Sequence, residues 1–139
     1  MDEDTIACIA NSTGMTHCRD FGDYLGVLIH SSRVSKQTYR GLLEKVQNRL
    51  SSWKSKQLSL AGRATLVQSV TNTVANYTMQ TSKLPVAVAN EIDALNRHFL
   101  WGGSDDSRKV PLVKWDTVCR PKSEGGLGLI FLARWQSPR

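Results

Sequence analysis

The stretch Ser35-Lys36-Gln37-Thr38-Tyr39-Arg40-Gly41-Leu42-Leu43-Glu44-Lys45-Val46-Gln47-Asn48-Arg49-Leu50-Ser51-Ser52-Trp53 decides the fold. Tyr39, Leu42, Leu43, Val46, Leu50 and Trp53 recur at steps of three and four, which at about 100° per residue places them on one stripe of a helix. Ser35 is a suitable N-cap, because its hydroxyl can accept an N–H that the first turn leaves unpaired. Lys36 and Arg40 flank the stripe on one side, Lys45 and Arg49 on the other. Their basic stems therefore run along the edges of the buried stripe rather than opposite it.

Working outward, Lys54-Ser55-Lys56 reads as a short basic linker and Ser59 as the next N-cap. Leu60, Ala64, Val67, Val70 and Val74 then fall on one side of a second helix. Arg63 projects inside that apolar arc in the first turn, where the helix dipole disfavours a cation, so it calls for an anionic partner. Both a structural carboxylate and a phosphate fit that requirement. Leu84-Pro85 punctuates the chain, and Pro85 suits the first turn of a third helix. Ile92, Leu95 and Phe99 form its buried side, and Gly102-Gly103 stops it.

Toward the N-terminus, Ile6-Ala7-Cys8-Ile9 fits a short strand or a helical turn, and Asn11-Ser12-Thr13-Gly14 reads as a turn. Tyr24-Leu25-Gly26-Val27-Leu28-Ile29 is apolar and β-branched, the pattern of a buried strand. Gly26 marks a bulge or a close approach of another backbone. Toward the C-terminus, loops surround one expected strand, Val110–Val113, and a helical turn at Trp115–Val118.

The 139 residues suffice for one ordinary domain with a core. The net charge of +6 is unevenly spread: residues 1–30 carry a balance of −4 and residues 31–139 one of +10. From Arg33 to Arg63 there are eight basic groups with only Glu44 against them. Such a cluster is either a surface that meets phosphates or a solvated basic face. No run of apolar residues is long enough to span a membrane. The acidic start Met1-Asp2-Glu3-Asp4 argues against a secretory or transit signal, so a nuclear or cytoplasmic location is expected. Cys8, Cys18 and Cys119 have no framework spacing and read as reduced thiols.

Catalytic constellations are lacking. Asp105-Asp106 is an adjacent carboxylate pair of the type that holds Mg²⁺. Yet Gly-Gly-Ser before it and Ser-Arg-Lys after it describe a solvated loop. His17, His30 and the three cysteines lack zinc-ligand spacing. Gly125-Gly126-Leu127-Gly128 is not followed by Lys-Ser/Thr, so it is a tight turn rather than a phosphate loop. Trp53, Tyr77 and Trp101 fit core packing better than base stacking. No cofactor and no metal site are expected.

An ordered string of phrases adds to this. Tyr24-Leu25-Gly26-Val27 precedes Arg49-Leu50-Ser51-Ser52-Trp53-Lys54 and Leu58-Ser59-Leu60-Ala61-Gly62-Arg63. Then come Tyr77-Thr78-Met79, Lys83-Leu84-Pro85, Phe99-Leu100-Trp101-Gly102, Trp115-Asp116-Thr117-Val118-Cys119 and Gly125-Gly126-Leu127-Gly128. Over about residues 20–130 this succession resembles the segment downstream of the polymerase active site in plant LINE-type (non-LTR) retrotransposon reverse transcriptases, whose copies often carry a ribonuclease H label.

The resemblance implies a mainly α fold: a short N-terminal β element (1–34, end of palm), a three-helix thumb-like bundle (35–101) and a loop-rich, truncated C-terminal tail (102–139). It implies a primer-grip-like role for Tyr24 and Gly26 and phosphate contacts from Lys54, Lys56 and Arg63. The family's paired aspartates have no counterpart here, so RNA-directed DNA polymerase activity is not expected of these residues alone. The family commonly has proline where Ala75 stands, implying a softer break between helices. After Leu129 the match fades, the profile of a truncated element copy. The expected partner is RNA–DNA or DNA duplex, held weakly and salt-sensitively. The alternative is an interaction module, or a non-functional retroelement remnant, that pairs through its exposed strand without binding nucleic acid.

Overall fold

A computed structural model describes residues 2–18, 22–25, 27–28, 35–54, 57–102 and 110–135. The fold is mainly α. The chain forms two compact units, Met1–Val34 and Ser35–Arg139.

In the first unit, α1 (Glu3–Thr13) starts from Asp2, carries Glu3 and Asp4 in its first turn and ends on Gly14 at φ 67°. Acids at the positive end of the dipole and a left-handed glycine at the other are ordinary helix ends. The two readings left open for Ile6–Ile9 thus resolve to helix, and Asn11–Gly14 forms its last turn and cap. Among the described residues the expected strand Tyr24–Ile29 is not continuous, and Ile29 lies outside them. Instead β1 (Asp23–Tyr24) pairs antiparallel with β2 (Val27–Leu28), Tyr24 opposite Val27. Leu25 sits at φ 53°, and this left-handed turn breaks the strand. Tyr24 is 64% and Leu25 78% exposed, so the buried-strand reading fails: two residues a side make no sheet to bury against. Gly26 lies outside the described residues.

The second unit is built on α5 (Val86–Leu100), which packs against α2 (Arg40–Lys54), α3 (Leu60–Leu66) and α7 (Leu132–Trp135). Its Val88, Ala89, Ile92, Phe99 and Leu100 are all buried. Burying side chains of this size contributes roughly 1.5–3 kcal/mol each for the larger ones. The α2 stripe supplies Val46 and Leu50 to the same core, with Tyr39 in the 3₁₀ turn (Lys36–Tyr39) that leads into it. The Tyr39 hydroxyl lies 2.9 Å from the Ser82 hydroxyl, tying the start of α2 to the end of α4 (Asn72–Thr81). Trp53 packs its ring 6.3 Å from that of Phe99 at a tilt of 58°, a core contact.

Between α3 and α4 the helix does not stop. Val67–Thr71 forms a wide π turn in which the Asn72 N–H donates to the Val67 carbonyl, five residues back. Such a turn inserts one residue and rotates the next stretch of helix. Thr71, Asn72 and Ala75 are therefore buried, while Val70 and Val74, on the expected stripe, are only half-buried and Leu60 is 49% exposed. The softer break implied at Ala75 is no break at all. Pro85 stands one residue earlier than expected, as the N-cap, its carbonyl accepting from Val88 and Ala89.

Val110–Val113 is not a strand. Val110 and Leu112 are 79% and 85% exposed, and no neighbouring strand pairs with them among the described residues. The loop from α6 (Trp115–Val118) to Gly128 is folded back on itself: Leu127 N–H donates to the Val118 carbonyl at 2.8 Å and Gly128 N–H to the Arg120 carbonyl at 2.9 Å. At Gly126 a Cβ would lie 2.0 Å from the Arg120 carbonyl oxygen, so only glycine fits this turn. No helix among the described residues is long and apolar enough to cross a membrane.

Candidate nucleic-acid interface

Ser59 caps α3 as expected, its hydroxyl accepting the Gly62 N–H at 3.2 Å. Arg63 follows in the first turn, half-buried. Its guanidinium lies directly over Gly102, where a Cβ would meet Nη1 at 2.0 Å and Cζ at 2.8 Å. Gly102 follows the C-cap of α5, so the cation sits near the end of that helix where the dipole is negative. No carboxylate among the described residues pairs with Arg63.

Tyr24 presents an exposed ring in the first unit, while Arg63 belongs to the second. Lys54 closes α2, but its side chain is outside the described residues, as are Gly26, Lys56 and the Asp105-Asp106 pair. Among the other basic groups of α2, Arg40 is bound to Glu44 at 3.1 Å, and Lys36 in the preceding turn reaches Glu91 at 2.8 Å. Lys45 and Arg49, one turn apart and exposed, make no ion pair among the described residues. Residues at this spacing lie on one face of the helix with Cβ atoms about 6 Å apart, so both cations are presented to the same side.

A second polar cluster escaped the sequence reading. Asp93 is buried at 1% exposure on α5, and its two carboxylate oxygens accept the N–H groups of Leu132 at 3.3 Å and Ala133 at 3.0 Å. It caps α7 from another helix, across 39 residues of sequence. Burial pushes its pKa above the usual carboxylate value; the two N–H bonds, the Trp115 indole and Arg97 oppose that shift but do not cancel it. Trp115 Nε1 comes close enough to favour the anion yet falls short of full hydrogen-bond geometry. The Arg97 guanidinium lies 5.8 Å from the Trp115 ring centroid, a cation–π contact.

Cys119, half-buried at the end of α6, has its thiol pushed up to about 12, first by burial and then by Asp93 and Asp116. It stays protonated and unreactive at neutral pH. Beside this cluster an open cleft of about 520 Å³ is lined by Asp116, Cys119, Arg120, Glu124, Phe131 and Arg134 among others. Arg134 and Asp116 already satisfy each other across it at 2.8 Å. The arrangement anchors the C-terminal segment to α5, and it assembles no nucleophile, base and oxyanion donor. Groups of three or more His, Cys, Asp and Glu side chains able to hold a metal are absent among the described residues.

Over 97 residues the chain is 45% identical to an Arabidopsis thaliana protein named "Putative ribonuclease H protein", a match that covers 70% of this chain. The chain spans only 16% of that relative's length. No family model matches the sequence, and no solved structure matches it.

Proposed function

We propose that the helical unit beginning at Ser35 is a non-catalytic, duplex-holding module of a retroelement reverse transcriptase, the thumb-like segment of a LINE-type RNA-directed DNA polymerase. The carrying observation is the 45% identity, over most of this chain, to a protein named for ribonuclease H, a name that belongs with nucleic acid. In this reading Lys54 and Lys56, which in the sequence lie at the end of α2 and just before α3, contact phosphates together with Arg63. Lys45 and Arg49 extend the basic edge along α2, and Tyr24 and Gly26 face the primer strand. Arg63 acts by holding the α3–α5 junction rigid beneath the phosphates. We assign no catalytic role to any described residue.

Phosphate contacts make affinity depend on salt and not on base sequence. Fluorescence anisotropy with an RNA–DNA hybrid and a DNA duplex, across a salt series, is the test. The expected result is weak binding that falls steeply with salt and is unchanged by scrambling the sequence. The double substitution Lys45→Glu, Arg49→Glu lowers the log–log salt slope by about 2, roughly 0.9 for each phosphate no longer neutralised. Tight, salt-insensitive binding to one sequence, or no binding at low salt, overturns the reading. The exposed Tyr24 and Leu25 favour a second reading, an interaction module that pairs with a partner chain. It predicts oligomers in sedimentation and no duplex affinity.

A further inference from the structure

The helix from Leu60 to Thr81 carries two incompatible faces. Continued regularly at about 100° per residue, the face of Val67 takes in Val70 and Val74, within about 60° and 20° of it, and turns Asn72 about 140° away. Leu60, Ala64, Val67, Val70 and Val74 spell that register in the sequence. The structure adopts the other one. The wide turn Val67–Thr71 inserts a residue, and Asn72 is carried to 2% exposure with its side-chain nitrogen and oxygen both lacking partners. A buried amide with nothing to bond is a penalty that Val70 and Val74 would not carry in its place. What holds the observed turn is local: the Thr71 hydroxyl donates to the Val67 carbonyl at 2.7 Å, and the Asn72 N–H reaches the same carbonyl.

We infer that Leu60–Thr81 is a two-register element, exchanging the wide turn for a regular α-helical turn in which Asn72 leaves the core and Val70 and Val74 enter it. Relaxing the turn moves α4 by one residue against α5, about 1.5 Å along the axis with a rotation of about 100°. The outer surface of α4 differs between the registers, so any ligand touching it selects one of them. The inference stands on the helix itself and does not depend on the duplex-holding role.

The test is ¹⁵N relaxation dispersion on the full chain, with hydrogen exchange of the same amides. Microsecond-to-millisecond exchange confined to about residues 67–75 is expected. Asn72→Leu places an apolar group in the buried position; it abolishes the dispersion and raises protection of these amides about tenfold or more. If that variant does not fold, Asn72→Ala is read in its place, with the same loss of dispersion expected. Deleting Ser69, exposed within the wide turn, removes the inserted residue while leaving Thr71, Asn72 and Ala75 facing the core. This deletion yields a folded chain without exchange. A wild-type chain with no dispersion in this segment, dispersion that survives at Asn72→Ala, or a Ser69 deletion that unfolds the protein overturns the inference.

Discussion

Gly102 does two jobs that no other residue can do together. Its φ of 67° ends α5, and its missing Cβ makes the space that the Arg63 guanidinium occupies. Gly102→Ala meets both obstacles, a left-handed penalty and a guanidinium that must swing aside, and should cost about 1–2 kcal/mol in urea unfolding, most of it from the backbone. Removing the obstructing group by Arg63→Ala relieves the second obstacle and not the first. The double variant is therefore less destabilised than the sum of the two singles, and strict additivity would mean that the two do not touch. Asp93 makes a different prediction. Because burial raises its folded pKa above the unfolded 3.8, the folded state holds the proton over a range where the unfolded state has lost it. Its contribution to stability is greatest below 3.8 and is lost as pH rises through the raised value. Asp93→Asn lacks this titration, so the stability of wild type relative to the variant should fall from about pH 4 to pH 7. A difference that rises instead would mean that the two N–H bonds outweigh burial.

Among the elements, those with a single strong period are legible in the sequence. The α2 stripe, the Ser59 cap and the stop at Gly102 all rest on local chemistry that neighbours do not override. The register of α4 is not legible, because an inserted residue leaves no mark on the apolar pattern; it shows only as a buried Asn72 where Val70 and Val74 are expected. Tyr24–Ile29 reads as a buried strand because β-branching and apolarity describe what a sheet accepts, and the sheet must come from elsewhere. The candidate interface is legible only in part. Arg63 stands out as needing an anion, but its place over Gly102 at the end of α5 depends on a contact across 39 residues of sequence, counting from Arg63 to Gly102. Asp93 is invisible for the same reason: a helix cap supplied from another helix has no local signature, and an aspartate in mid-helix reads as an exposed charge.

At the scale of the molecule, charge and core are divided between the two units. All the buried hydrophobic side chains among the described residues, from Tyr39 to Leu132, belong to the unit that starts at Ser35, and α1 buries none. Acidic groups dominate the first unit: residues 1–34 hold five acids against Arg19 and Arg33, a balance of −3, and residues 35–139 carry +9. Stability should therefore reside in the second unit. Residues 35–139 alone should unfold in one cooperative transition, with a midpoint within a few degrees of the full chain, since little apolar burial is given up. The duplex reading adds a second expectation for the same molecule. Residues 35–139 keep Lys45, Arg49, Lys54, Lys56 and Arg63, so they should retain salt-sensitive duplex binding with nearly the full chain's salt slope, and lose only the affinity that Tyr24 and Gly26 add at the primer strand. Calorimetry and anisotropy on both forms separate the outcomes. A large fall in midpoint would place part of the core in the first unit. A preserved midpoint with partly lost affinity is what primer contact by Tyr24 requires, and wholly unchanged affinity would remove Tyr24 and Gly26 from the reading.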